Sequence, residues 1–122
     1  MRYFSTGATR DVDDNKLDFE GFLDPDVIQR YGEFMHIKRY QEDGKLRSAD
    51  NWQKGIPLSA YMKSLWRHFL AVWLNHRHLV MSEFWGDFPE DREQVEEDLC
   101  ALLFNAMGYL SEVLKDRNVP DS

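Results

Sequence analysis

The sequence predicts an all-α fold, and three observations carry that prediction. Apolar residues in the longest segments recur with a period of 3.6 rather than 2. Pro25, Pro57 and Pro89 each stand where a helical pattern begins, a position at which the missing N–H costs nothing. With 43% hydrophobic and 14% aromatic residues, the composition is that of a folded chain rather than a disordered tail. A length of 122 residues fits one domain with one core. The expected architecture is a three-helix core with an irregular N-terminal arm and a long polar loop.

The first twenty residues are polar, with Gly7 and the acids Asp11, Asp13 and Asp14, and read as the arm. Asp24 followed by Pro25 makes an N-cap and first turn. Val27, Tyr31, Phe34 and Lys38 then follow at helical spacing, which predicts helix one over 25–40. Residues 41–56 hold Gly44 and Gly55 among charged and amide side chains, too polar for a core strand, and form the predicted loop. Leu58, Met62, Leu65, Phe69, Val72 and Trp73 place helix two over 57–79. Gly86 and Pro89 break the chain again. Pro89, Glu90 and Asp91 then open helix three, predicted over 90–115, with negative charge where the helix dipole favours it. Its apolar set, from Val95 to Val113, is too broad for one narrow stripe and implies burial on two sides. Three helices make a sparse core for this many aromatics, so self-association as a homo-oligomer is expected.

A formal charge of -7 leaves no electrostatic footprint for a nucleic-acid duplex. A small anion such as a nucleotide is not excluded, because a local cluster of cations can bind phosphate in an acidic protein. The single Cys100 sits in an apolar run and reads as a small buried side chain. The segment Met1 to Arg10 has no apolar signal region, and no stretch reaches the ~18 to 20 apolar residues that span a bilayer. A cytoplasmic protein without membrane partners is expected.

Two helical lines mix polar and small residues. On helix three, Asp98, Ala101, Asn105, Gly108 and Glu112 share one face; on helix two, Ser64, His68, Ala71, Asn75 and His78 do. Gly108 inside a helix costs about 1 kcal/mol relative to Ala, so something is expected to approach it closely. Set against one another, the lines predict either a helix contact with a buried amide or a polar cleft around His68, Asp98 and Asn105. Arg67 points about 100° away from His68, toward the rim, a neighbouring subunit or plain solvent. The four histidines lack metal-ligand spacing, and no nucleophile triad, P-loop or dinucleotide fingerprint is present.

Several short motifs run in order through the chain: Gly7-Ala8-Thr9-Arg10-Asp11, Lys16-Leu17-Asp18, Asn51-Trp52-Gln53-Lys54-Gly55-Ile56, Leu65-Trp66-Arg67-His68 and Phe104-Asn105-Ala106. Together they resemble the phage-encoded dATP/dGTP diphosphohydrolase family, N-terminal type, over nearly the whole chain. That resemblance implies a distant likeness to the all-α nucleoside triphosphate pyrophosphohydrolases of the MazG and dUTPase kind. It further implies a helical oligomer in the host-cell cytoplasm that uses Mg²⁺, or Mn²⁺ in its place, to cleave between the α- and β-phosphates. The segment from Glu97 to Phe104 is similar to the metal-binding helix of that group, with Asp98 in the first place of its Glu-x-x-Asp motif. The chain departs from the pattern: Ala101 stands where the motif has Asp, and His68 where the superfamily pairs glutamates. The remaining oxygen ligands are Asp98 with Glu97 or Glu112 and the amide of Asn105, a weaker set for Mg²⁺.

Two functions follow as expectations. The first is a hydrolase of purine deoxynucleoside triphosphates, with His68, Asp98 and Asn105 at the reaction centre and Glu97, Asp98 and Glu112 toward metal. In it Asp11, Lys16, Asn51, Trp52, Lys54 and Arg67 hold substrate, Trp52 by stacking on the base and Lys54 and Arg67 through phosphates. The second is a non-catalytic nucleotide-binding or sequestering protein, or a helical partner of another phage or host protein, which needs a pocket but no metal set.

Overall fold

A computed structural model describes residues 2–3, 5–7, 9–10, 15–82 and 89–118. Among them the chain is all-α, as predicted. A two-residue antiparallel ladder joins β1 (Arg2–Tyr3) to β2 (Thr9–Arg10), so the arm is a small hairpin rather than wholly irregular. Four helices follow: α1 (Phe19–Phe22), α2 (Pro25–Lys38), α3 (Leu58–Ser82) and α4 (Pro89–Asn118). The last three are the predicted helices: α2 starts where predicted, and the other ends are shifted by one to three residues.

Local chemistry fixes the boundaries. The Asp24 carboxylate accepts the Asp26 N–H at 2.9 Å with Pro25 in the first turn, and Asp18 caps α1 in the same way through Gly21, also at 2.9 Å. The carbonyl of Pro57 accepts from the N–H groups of Ala60 and Tyr61 as α3 begins. The loop is more ordered than its polarity suggested. Tyr40 bridges to Leu46, and Asn51–Lys54 form a 3₁₀ turn that stops at Gly55, whose φ of 99° favours glycine.

The principal contact is α3 on α4, which run antiparallel: Tyr61 lies against Gly108, Ser64 meets Asn105, and His68 meets Asp98. Gly108 explains itself here. A Cβ at that position would overlap the ring of Tyr61, the largest fully buried side chain among the described residues, so the glycine is what lets the ring in. α2 crosses α4 by packing Phe34 on Cys100 and Ala101, with Tyr31 and Met35 at the edge. The buried hydrophobic residues among those described are few: Phe34, Tyr61, Val95, Cys100 and Ala101. Among the described residues, no helix is long and apolar enough to cross a membrane.

Candidate functional site

The inward lines of α3 and α4 carry the polar groups of the site. Asp98 is 4% exposed and accepts a hydrogen bond at 2.8 Å from His68 Nδ1, with Gln94 Nε2 at 3.4 Å on its other oxygen. With the carboxylate ionised, Nδ1 carries the proton and Nε2 is left as the basic nitrogen of the ring. About two turns further along α4, Asn105 donates to Ser64 Oγ at 3.0 Å and to the carbonyl of Ala101 at 2.8 Å. Asp98 and Asn105, the buried polar residues of α4, are thus paired across the two helices, as their desolvation requires.

A cavity of about 450 Å³ opens beside these groups, walled by the end of α2, the loop around Ser48 to Trp52, and the facing parts of α3 and α4. His68, Ser64 and Asn105 form its floor, with Phe34, Trp52 and Phe104 as aromatic walls. The charged side chains that line it are all cationic: Lys38, Arg39 and Arg47, accompanied by His36. The two arginines are tied together, since Arg39 Nε donates to the Arg47 carbonyl at 2.7 Å and the Arg47 N–H donates to the Arg39 carbonyl at 2.6 Å. Lys38 Nζ lies 5.3 Å from the centre of the Phe34 ring. None of these three cations has an acidic partner among the described residues.

Burial also sets the chemistry of neighbouring groups. It pushes the Cys100 thiol above its ordinary value, with Arg30 acting against this and the charges of Glu96 and Glu97 adding to it. Burial likewise raises the Tyr31 and Tyr61 phenols, and the Glu112 carboxylate reinforces the shift at Tyr61. The Tyr61 hydroxyl is buried and has no hydrogen-bond partner among the described residues.

The expected site residues divide sharply. His68, Asn105, Asn51 and Trp52 line the cavity, and Asp98 stands directly behind His68. Lys16, Lys54 and Arg67 are exposed and are not among the residues that line it, whereas Lys38, Arg39 and Arg47 are. Asp11 and the side chain of His78 lie outside the described residues. Asn75, expected on the cleft line, bonds instead to the Ala71 carbonyl of its own helix at 2.9 Å.

The metal set needs correction. Asp98 and Glu112 are on one continuous helix, fourteen residues and therefore about 21 Å apart, too far to share an ion. Glu112 is instead paired with Lys115 at 2.8 Å. Glu97, next to Asp98, turns about 100° away and lines a separate groove with Arg30, Glu33 and Arg92. No cluster of three or more His, Cys, Asp or Glu groups fit for a metal occurs among the described residues.

The residues missed at the sequence level are Lys38, Arg39 and Arg47. Their signal was present as basic residues flanking Gly44, but it was diluted by Glu42, Asp43 and Asp50 in the same loop. The bridge from Tyr40 to Leu46 brings Arg39 and Arg47 side by side. Comparison of the chain with models of known families, with curated proteins and with solved structures finds no match.

Proposed function

We propose that this protein binds a nucleotide, with a purine deoxynucleoside triphosphate as the reading favoured by the motif resemblance. One observation carries the proposal: a chain of net charge -7 lines the cavity beside His68 with Lys38, Arg39 and Arg47 as the charged groups and sets Trp52 and Phe104 among them. Guanidinium groups match phosphate oxygens in geometry and charge, that of Arg39 being held by the Arg47 carbonyl, and an aromatic wall suits a flat base. A cavity of about 450 Å³ is in the ordinary range for such a ligand. Asp98 and Glu112 stand too far apart to share an ion, so in this reading Mg²⁺ arrives with the triphosphate and binding itself depends on the arginines.

Titration calorimetry with dATP and dGTP, once in EDTA and once with Mg²⁺, tests this. Binding in both conditions is expected, with Arg47→Ala weakening it by about 10 to 100-fold, the value of one or two charged hydrogen bonds. A wild-type chain that binds neither nucleotide in either condition sinks the proposal.

The His68–Asp98 pair favours a second reading, hydrolysis at the same site. A buried carboxylate that fixes the ring by Nδ1 leaves Nε2 to take a proton from water, as that water attacks the α-phosphorus and pyrophosphate leaves. Chromatography of the reaction mixture decides between the two: deoxynucleoside monophosphate with pyrophosphate marks turnover, and Asp98→Asn should then lower its rate while binding persists. Unchanged triphosphate after long incubation with Mg²⁺ or Mn²⁺ leaves binding alone.

A further inference from the structure

Next to the cationic cavity lies a second one, of about 390 Å³, whose lining differs in kind. The two share Met35, Ala49, Trp52 and Phe104, so they meet at one wall. The rest of the second cavity is made by Tyr31 from α2 and by Met107, Gly108 and Ser111 from α4. Among the described residues no charged side chain lines it, whereas Lys38, Arg39 and Arg47 line the first.

Helix geometry sets the two cavities in order. Tyr31, Met35 and Arg39 recur every four residues along α2 and its C-cap, so one face runs from the apolar cavity to the cations over about 12 Å. Phe104, Met107, Gly108 and Ser111 repeat at the spacing of a single face of α4. The resulting groove is cationic at one end, aromatic in its middle and apolar at the other end. That gradient matches an elongated molecule with phosphates at one end and a flat ring at the other.

The polar groups of the second cavity are adaptable ones. Besides the Trp52 indole N–H, its polar side chains are Tyr31 and Ser111, whose hydroxyls each donate or accept as the ligand requires. Among the described residues it has no amide, carboxylate or guanidinium, the groups that make two-point contacts to one base and refuse another. Met35 and Met107 adjust to a ring of either shape. Stacking is indifferent to base identity, because every base has a π-face, and apolar burial grows with ring area.

On the strength of the nucleotide reading above, we propose that the base of the bound nucleotide occupies this second cavity and is selected by ring size, not by its hydrogen-bonding edge. The substrate class is then any nucleoside triphosphate with a purine-sized base, whatever exocyclic groups it carries, with pyrimidines held less tightly.

The test is titration calorimetry of the full chain in EDTA with dATP, dGTP, dITP, dCTP and inorganic tripolyphosphate. The three purine nucleotides should bind alike, each tighter than tripolyphosphate by about tenfold or more, the worth of one stacked base. Binding of dCTP should fall between. Ser111→Trp sets an indole in the second cavity and should bring dATP down to the level of tripolyphosphate, whose own binding stays unchanged. Met107 is 47% exposed, so Met107→Ala spares the fold. It should weaken the purine nucleotides by about threefold or more and leave tripolyphosphate unaffected. A chain that binds none of these ligands breaks the nucleotide reading and this inference with it. Three results overturn this inference alone: tripolyphosphate bound as tightly as dATP, dATP and dGTP separated by about tenfold or more as a paired edge would separate them, or dATP bound equally well by wild type and both folded variants.

Discussion

The two faces of the α3–α4 pair invert the usual distribution of polarity. Where the helices touch, the residues are Asp98, Ala101, Asn105 and Gly108 on α4, all buried, against Tyr61, Ser64 and His68 on α3. Where they turn outward, the residues are tryptophan, phenylalanine, leucine and methionine, all substantially exposed. The inner contact obtains specificity from matched hydrogen bonds and from one close approach at a glycine, each of which tolerates a single partner geometry. The outer face is non-directional and holds most of the apolar surface that water disfavours. The comparison separates two roles: the inner line fixes register and positions His68 beside the cavity, while the outer face leaves its large apolar side chains exposed.

The largest effect expected on the inner line is Gly108→Ala. The new methyl would overlap the ring of Tyr61, which is 1% exposed and has nowhere to go. Helix propensity alone would make the change favourable by about 1 kcal/mol. Overpacking should reverse the sign and leave a net loss of about 1 to 3 kcal/mol in a denaturant melt. A gain in stability would mean that α3 slides along α4 to make room, and that the inner line does not fix register.

That prediction also marks how far the sequence was legible. The helices could be read from Pro25, Pro57 and Pro89 and from the apolar period, because caps and periodicity are local. The mutual approach of His68 and Asp98 followed from two polar lines that each needed a partner. Gly108 declared that something came close, but nothing local identified Tyr61, which lies just before the line that faced it. The cationic lining of the cavity was hidden for a different reason. Arg39 and Arg47 are brought together by a loop bridge and two hydrogen bonds to backbone carbonyls, and such contacts leave no periodic trace. The metal set failed on simple length: a helix places Asp98 and Glu112 on one face and about 21 Å apart.

A smaller and more diffuse effect is expected in alkali. Burial holds the Cys100 thiol above its ordinary value of 9.0 and the Tyr31 and Tyr61 phenols above 10.0. Each group keeps its proton to a higher pH when folded than when unfolded, so the stability it contributes is complete below the unfolded value. It is lost as pH rises through the folded value. Melting temperature should therefore be insensitive to these groups through neutrality and begin to fall above about pH 9, the thiol first. Thiol titration with a chromogenic disulfide should find Cys100 slow to react until the chain unfolds. Rapid labelling at neutral pH in the folded protein would show that α2 does not stay seated on α4.

The smallest expected effect is the most informative about the inner line. Tyr61 fills the space over Gly108 with its ring, tilted against Phe104 at 5.9 Å, but its hydroxyl is buried without a hydrogen-bond partner among the described residues. Water bonds that hydroxyl fully in the unfolded chain, so folding costs part of its hydration and recovers little. Tyr61→Phe keeps the ring and removes the liability, at the loss of a few dispersion contacts from one oxygen atom. The net change should be a stabilisation of up to about 1 kcal/mol, against the loss expected for Gly108→Ala at the other side of the same contact. The variant should also flatten the alkaline limb, since one of the two raised phenols is gone. Should Tyr61→Phe instead lower stability by more than about 1 kcal/mol, the hydroxyl must be bonded in the folded protein, with Glu112, whose charge acts on it, as the nearest candidate. The polar line would then run unbroken from Asp98 to Glu112, and the ring would be held by its oxygen as well as by the glycine beneath it.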